Sequence, residues 1–229
     1  MKTVTVIQHT EAEYLGLMED HFEGRNVRFS YNRPFTKGGM LPEGPGTSDG
    51  LMLLGGGPYG VVSGHILPSI GAELRLTRAF LDAGLPVVGV GIGAIILAVA
   101  AGGGATGQPL RFAVKPALAT GPGLLGGFLP PTMPLTVYLR DAPVLPAGSD
   151  VLARDADGAP LIFAIGRNSL GFLGHPGMKR GMAEDLIMEF AETPDGTIEG
   201  LTALGAAQGR IAEALGPLMV GMMARTGWM

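Results

Sequence analysis

The sequence predicts an α/β fold, with a central, mostly parallel sheet covered by helices on both faces. Three observations predict it. Short apolar runs alternate with segments of helical spacing through the first half of the chain, the pattern of β-α-β units. Glycine and proline punctuate these runs where turns are needed. The 229 residues, 46% hydrophobic and 16% charged, suffice for one domain with a sizeable core and are too apolar for a disordered chain.

Residues 2–8 read as a first strand, and residues 11–22 as a helix with Tyr14, Leu15, Met18 and Phe22 at helical spacing. Residues 26–31 alternate as a second strand, and the Gly- and Pro-rich residues 34–50 form a loop. Residues 51–54 are a short apolar strand broken by Gly55-Gly56-Gly57-Pro58. Residues 66–83 form a helix with Leu67, Ile70, Leu74 and Phe80 on or near one face, closed by Gly84. After Gly104 the texture changes. Residues 137–139, 151–154, 161–165 and 169–173 read as strands in an antiparallel arrangement, and residues 183–191 as a helix. Residues 198–229 are helical in composition and dense in methionine near their end.

Composition excludes several function classes. With no cysteine, disulfides, thiolate metal sites and cysteine nucleophiles are ruled out. The net charge of −4 and the absence of a Lys/Arg cluster argue against a nucleic-acid partner. Residues 85–110 carry no charge, yet Gly91, Gly93 and Gly102 divide them into a buried strand and a short buried helix, so no membrane span is expected. The N-terminal residues run directly into strand alternation without a signal-peptide core, which points to a cytoplasmic protein.

The segment Gly89-Val90-Gly91-Ile92-Gly93-Ala94-Ile95 is a strand, a sharp turn and a helix. Nucleophile elbows are built this way, with small residues two positions either side of the nucleophile. Gly91 stands at the centre. Upstream, Leu54-Gly55-Gly56-Gly57-Pro58 follows a strand; downstream lies Gly174-His175-Pro176-Gly177. These three blocks, in this order, resemble the class I glutamine amidotransferases over roughly residues 1–190. The resemblance implies a flavodoxin-like three-layer sandwich. It aligns the family's nucleophilic cysteine with Gly91, its next histidine with Ala94 and its glutamine with Ile95. The oxyanion loop falls on Gly55–Pro58, the catalytic histidine on His175, and the histidine's carboxylate partner on Gly177. The triad is therefore degenerate at Gly91 and Gly177, and no catalytic set is intact.

Weighed singly, His175 reads as a structural histidine before a turn-forming proline, or else as a relic base or ligand contact. Gly55, Gly56, Gly57, Pro58, Tyr59, Ile92 and His175 are expected to line the vacated pocket. Ser63 and Ser169 occupy no elbow and are poor replacement nucleophiles. His9, His21, His65 and Asp20 make no metal-ligand spacing, so no metal is expected. The run of alternating glycines lacks the third glycine and the acidic ribose partner of a dinucleotide site, so no cofactor is expected.

The sequence divides into an amidotransferase-like domain, residues 1–195, and a helical extension, residues 196–229, packing on that domain or on a partner. The expected function is that of an amidotransferase-like protein without glutaminase activity, acting as a partner subunit, in a homo-oligomer or larger complex, or as a small-ligand-binding protein. The alternative is an enzyme with different chemistry, using His175 as acid or base. Restoring the nucleophile alone does not restore a triad. Gly91→Cys is expected to leave glutamate release roughly 10⁴-fold or more below that of an intact site, as measured with purified protein.

Overall fold

Alternating strands and helices place nine strands in one sheet. The computed structural model describes all 229 residues. The elements are β1 (Lys2–Ile7), α1 (Met18–Glu23), β2 (Val27–Asn32), β3 (Gly50–Leu53), α2 (Ile70–Asp82), β4 (Val87–Val90) and α3 (Ile92–Ala100). There follow β5 (Gly104–Thr106), β6 (Arg111–Ala119), β7 (Thr132–Leu139), β8 (Ala142–Val144), β9 (Asp150–Arg154), β10 (Pro160–Ile165), β11 (Ser169–Phe172), α4 (Arg180–Glu189) and α5 (Thr197–Thr226). The main sheet runs β2-β1-β3-β4-β11-β10-β9-β6-β7, and β5 and β8 form a separate ribbon. From β2 to β11 neighbouring strands are parallel; from β11 to β7 they are antiparallel. Helices α2 and α3 pack together over β3 and β4, while α5 lies along β6, β7 and β11 and touches α1 and α4. This is the three-layer, flavodoxin-like arrangement expected.

Several local expectations are corrected. The helix expected over residues 11–22 shrinks to six residues, α1. The preceding backbone is spent elsewhere: Glu11 and Ala12 N–H donate to Glu189, Leu15 N–H to the Tyr31 hydroxyl, and Leu17 N–H to the Gly177 carbonyl. Gly16, at φ +63°, ends any helical path there. Helix α2 starts at Ile70, and its buried stripe is Glu73, Leu76, Thr77 and Phe80. Strand β6 was hidden in the sequence by Pro116, which sits in register opposite Pro134 of β7, so the missing donors coincide at one rung. Strand β11 is antiparallel to β10 but parallel to β4.

The methionine-rich end of the chain is not a surface patch. Leu218, Met219, Met222 and Met223 are buried in the main core. Trp228 is buried too, 5.9 Å from Phe22 between ring centroids, with its indole N–H donating to the Asp49 carbonyl at 3.3 Å. A Cβ on Gly50 would lie 2.5 Å from the indole nitrogen, so β3 begins with glycine to admit the ring. The core is therefore not complete near residue 190. Trp228→Ala is expected to cost about 3–5 kcal/mol, read as a lowered urea midpoint.

Candidate functional site

Strands β3, β4 and β11 are parallel, so the residues after each gather at one edge of the sheet. That edge brings together the segments beginning at Leu54, Gly91 and Leu173. Gly91 sits at φ +57°, ψ −122° as α3 begins, a backbone conformation that glycine adopts cheaply and other residues adopt under strain. Its N–H donates to the Phe172 carbonyl at 2.8 Å, which ties the turn to β11. A Cβ on Gly91 would meet only the Gly55 Cα, at 3.3 Å. The flanks have no such room: a Cβ on Gly89 would lie 2.4 Å from the Gly93 carbonyl oxygen, and one on Gly93 2.3 Å from that of Leu53. The aligned Ala94 and Ile95 are fully buried and add apolar packing where the family pattern has polar groups.

The loop after β3 lies against this turn. A Cβ on Gly56 would sit 2.9 Å from Ile92 Cγ2 and 3.6 Å from the His9 Cβ. Tyr59 packs edge-on against Phe190 at 5.7 Å, and the Pro58 carbonyl accepts from the buried Arg140 Nε at 3.0 Å. One of the loop's N–H groups is engaged within the chain: that of Gly57 donates to the Glu13 carboxyl. The same carboxyl lies so close over Gly55 that a Cβ there would be 1.9 Å from its Oε1.

His175 is buried, and its hydrogen bonds go to neither loop nor turn. Nδ1 accepts from the Gly177 N–H at 3.1 Å, so Nε2 carries the proton and donates to the Tyr14 carbonyl at 2.8 Å. Burial pushes its pKa down to about 4, with the Tyr14 carbonyl opposing, and the ring is neutral with both nitrogens engaged. Gly177 packs against Met18 and Leu17. Ser63 donates to Asp141, and Ser169 Oγ accepts from Val87 N–H at the opposite end of β4; neither adjoins Gly91 in sequence or in hydrogen bonding.

The titratable centre lies in residues that show no shared motif in the sequence. His9 Nδ1 faces the Gly55 carbonyl at 3.0 Å, and Nε2 faces the Glu73 carboxylate at 2.7 Å. Two acceptors require two donors, so the ring is an imidazolium. Burial pulls its pKa down, but the Glu73 charge and hydrogen bond outweigh that and hold it above its ordinary value. Burial raises Glu73, and His9 together with the Ser69 hydroxyl at 2.5 Å bring it below its ordinary value. Glu13 is pushed up to about 7 by burial, against the Gly57 N–H and the His9 charge. One signal was legible: Glu73 stands in the buried stripe of α2, where an acid needs a partner. No group of three or more His, Asp or Glu is arranged to hold a metal ion.

No protein-family model matches the chain, and no curated protein matches it. Solved structures do. A glutamine amidotransferase from Methylobacillus flagellatus superposes with a TM-score of 0.82 at 21% identity, covering 98% of this chain and 95% of that one. The chain has a class I glutamine amidotransferase-like fold. A glutamine amidotransferase from Thermotoga maritima is similar at TM-score 0.79 and 20% identity, covering 98% of each chain. The PurLQS structure from Thermotoga maritima is more distant, at TM-score 0.53 and 14% identity, over 91% of this chain and 98% of that one. No helix of this amidotransferase-like chain is long and apolar enough to cross a membrane.

Unfolded, Glu13 ionises near 4.5; folded, it holds its proton to about 7. Between those values the folded chain binds the extra proton, so the Glu13 contribution to stability falls as pH rises from 4.5 through 7 and is flat above. The raised pKa of His9 acts in the same direction. Its contribution is present below the unfolded value of 6.5 and is lost as pH rises through the folded one. Glu13→Gln keeps an acceptor for Gly57 and never ionises. Its stability relative to wild type is expected to improve between pH 5 and pH 8 by on the order of 3 kcal/mol, measured by urea denaturation at both values.

Proposed function

We propose that the chain is a glutamine amidotransferase-like protein that does not hydrolyse glutamine. It acts instead by binding, either as a small-ligand-binding protein or within a homo-oligomer or larger complex. The observation that carries this reading is the elbow: Gly91 has the turn of a nucleophile without the nucleophile, and the Glu13 carboxyl lies against the Gly55–Gly57 loop beside it, taking the Gly57 N–H. Thioester chemistry needs a thiolate, and the turn supplies none.

The alternative, with His175 as acid or base, has less support. A ring whose two nitrogens are engaged by Gly177 and Tyr14, and whose pKa is pushed to about 4, is poorly placed to exchange protons near neutral pH. Self-association through the C-terminal methionines has lost its motive, because α5 buries them within its own chain. Ligand binding is therefore the better-supported half of the reading.

The purified protein is expected to release neither glutamate nor ammonia from glutamine above a heat-killed control. Turnover that disappears in His175→Ala would overturn the proposal.

A further inference from the structure

The order β2-β1-β3-β4 puts a topological switch point between β1 and β3. In open α/β sheets, crevices for ligands form outside the carboxyl ends of the strands at such a point. A pocket of about 290 Å³ opens there, with Phe35, Tyr59, Leu67 and Pro68 in its walls and His9 and Ser69 at its polar side. That volume is near the lower end of small-molecule sites, which begin at roughly 300 Å³. His9 brings no free hydrogen-bonding group, since its ring nitrogens are taken by Gly55 and Glu73. The compartment therefore favours an apolar group.

Phe35, itself 39% exposed, also borders a second compartment of about 230 Å³, lined with Gln8, Glu11, Arg33 and Thr36. Arg33 and Glu11 carry opposite charges and line the same space, yet neither takes part in any ion pair of the chain. Buried Gln8 organises both. Its Oε1 accepts from Arg33 Nε at 2.9 Å, and its Nε2 donates to the carbonyls of Thr10 at 2.8 Å and Glu11 at 3.1 Å. The guanidinium lies 5.1 Å over the Tyr31 ring, which holds its plane while its terminal nitrogens stay without partners in the chain.

An unpaired cation and anion in one compartment, beside an apolar compartment sized for a single side chain, match a zwitterion with an apolar tail. We propose that this double cleft binds a free α-amino acid with a large apolar side chain. The carboxylate pairs with Arg33, the ammonium with Glu11, and the side chain enters past Phe35 between Tyr59 and Leu67. The site differs from the Gly91 turn in its lining: neither compartment is bordered by Gly91, Ile92 or His175, and only Tyr59 comes from the residues expected around that turn. The inference rests on the chain being a binding protein, but not on the absence of glutamine hydrolysis.

Isothermal titration of the full chain decides it, with L-phenylalanine and L-leucine as ligands. Phenylethylamine lacks the carboxylate, 3-phenylpropionate lacks the ammonium, and L-glutamine has a polar tail. Phenylalanine or leucine is expected to bind saturably, and each of the three controls about tenfold or more weaker, since each loses a charged hydrogen bond or the apolar burial. Arg33→Ala and Glu11→Ala, both at exposed positions, are expected to weaken the amino acid by a similar factor, with circular dichroism unchanged. No saturable binding at millimolar ligand, equal binding of the controls, or undiminished binding by both variants would overturn the proposal. None of these outcomes touches the glutaminase assay, and glutamine turnover would leave this titration standing.

Discussion

A Cβ on Gly93 would stand 2.3 Å from the carbonyl oxygen of Leu53, and one on Gly89 would stand 2.4 Å from that of Gly93. Strands β3 and β4 and helix α3 thus meet at a separation that only glycine permits. Helix α3 cannot move outward to relieve the crowding, because residues Ile92 to Ala98 are buried along their whole length. The contact sets where α3 begins, which sets Gly91 against Gly55, and through the Gly91 N–H it fixes β11 as well. The central position of the turn is the one with room. Architecture and chemistry are therefore partly separable here: the flanking glycines maintain the turn, and the central position has space for a side chain, at the cost of backbone strain at φ +57°.

The loop after β3 draws a buried carboxyl onto itself. A buried N–H needs an acceptor, and Glu13 supplies one from the loop after β1. Burying a carboxyl is costly when it is charged. Glu13 avoids much of that cost by keeping its proton, while His9 and Glu73 neutralise each other beside it. The cluster thus has no net charge at slightly acid pH, and its polar atoms are satisfied by side chains from β1's loop, β3's loop and α2. This network joins three elements.

Much of the fold was legible because its signals are local. Apolar runs, glycine breaks and the flanking pattern of Gly89 and Gly93 identify the parallel half of the sheet, the elbow and the loop at Gly55. The antiparallel half was harder. Strand β6 carries Pro116, and its pairing with β7 is visible only when Pro134 is seen opposite. The segment from Glu11 to Leu17 has helical spacing, but tertiary acceptors on Glu189, Tyr31 and Gly177 claim its donors. His175 was legible as a residue and not as an arrangement, since its partners Tyr14 and Gly177 come from distant and adjacent positions alike. His9, Glu13 and Glu73 were illegible as a group because their contacts span up to 64 positions, with no spacing rule to connect them. The end of α5 left two readings open, packing on its own domain or on a partner, and Met219, Met222 and Met223 lie in the chain's own core.

Trp228 closes over Phe22 and Gly50, with its indole bonded to a carbonyl 179 positions earlier. Translation delivers β1, α1 and β3 long before the residues that cover them. Until α5 arrives, Phe22 and the neighbouring face of the sheet have no cover, and loop closure of that length must precede the contact. The nascent chain therefore passes through a stage with uncovered apolar surface. Exposed surface of that kind favours aggregation over folding for as long as the stage lasts.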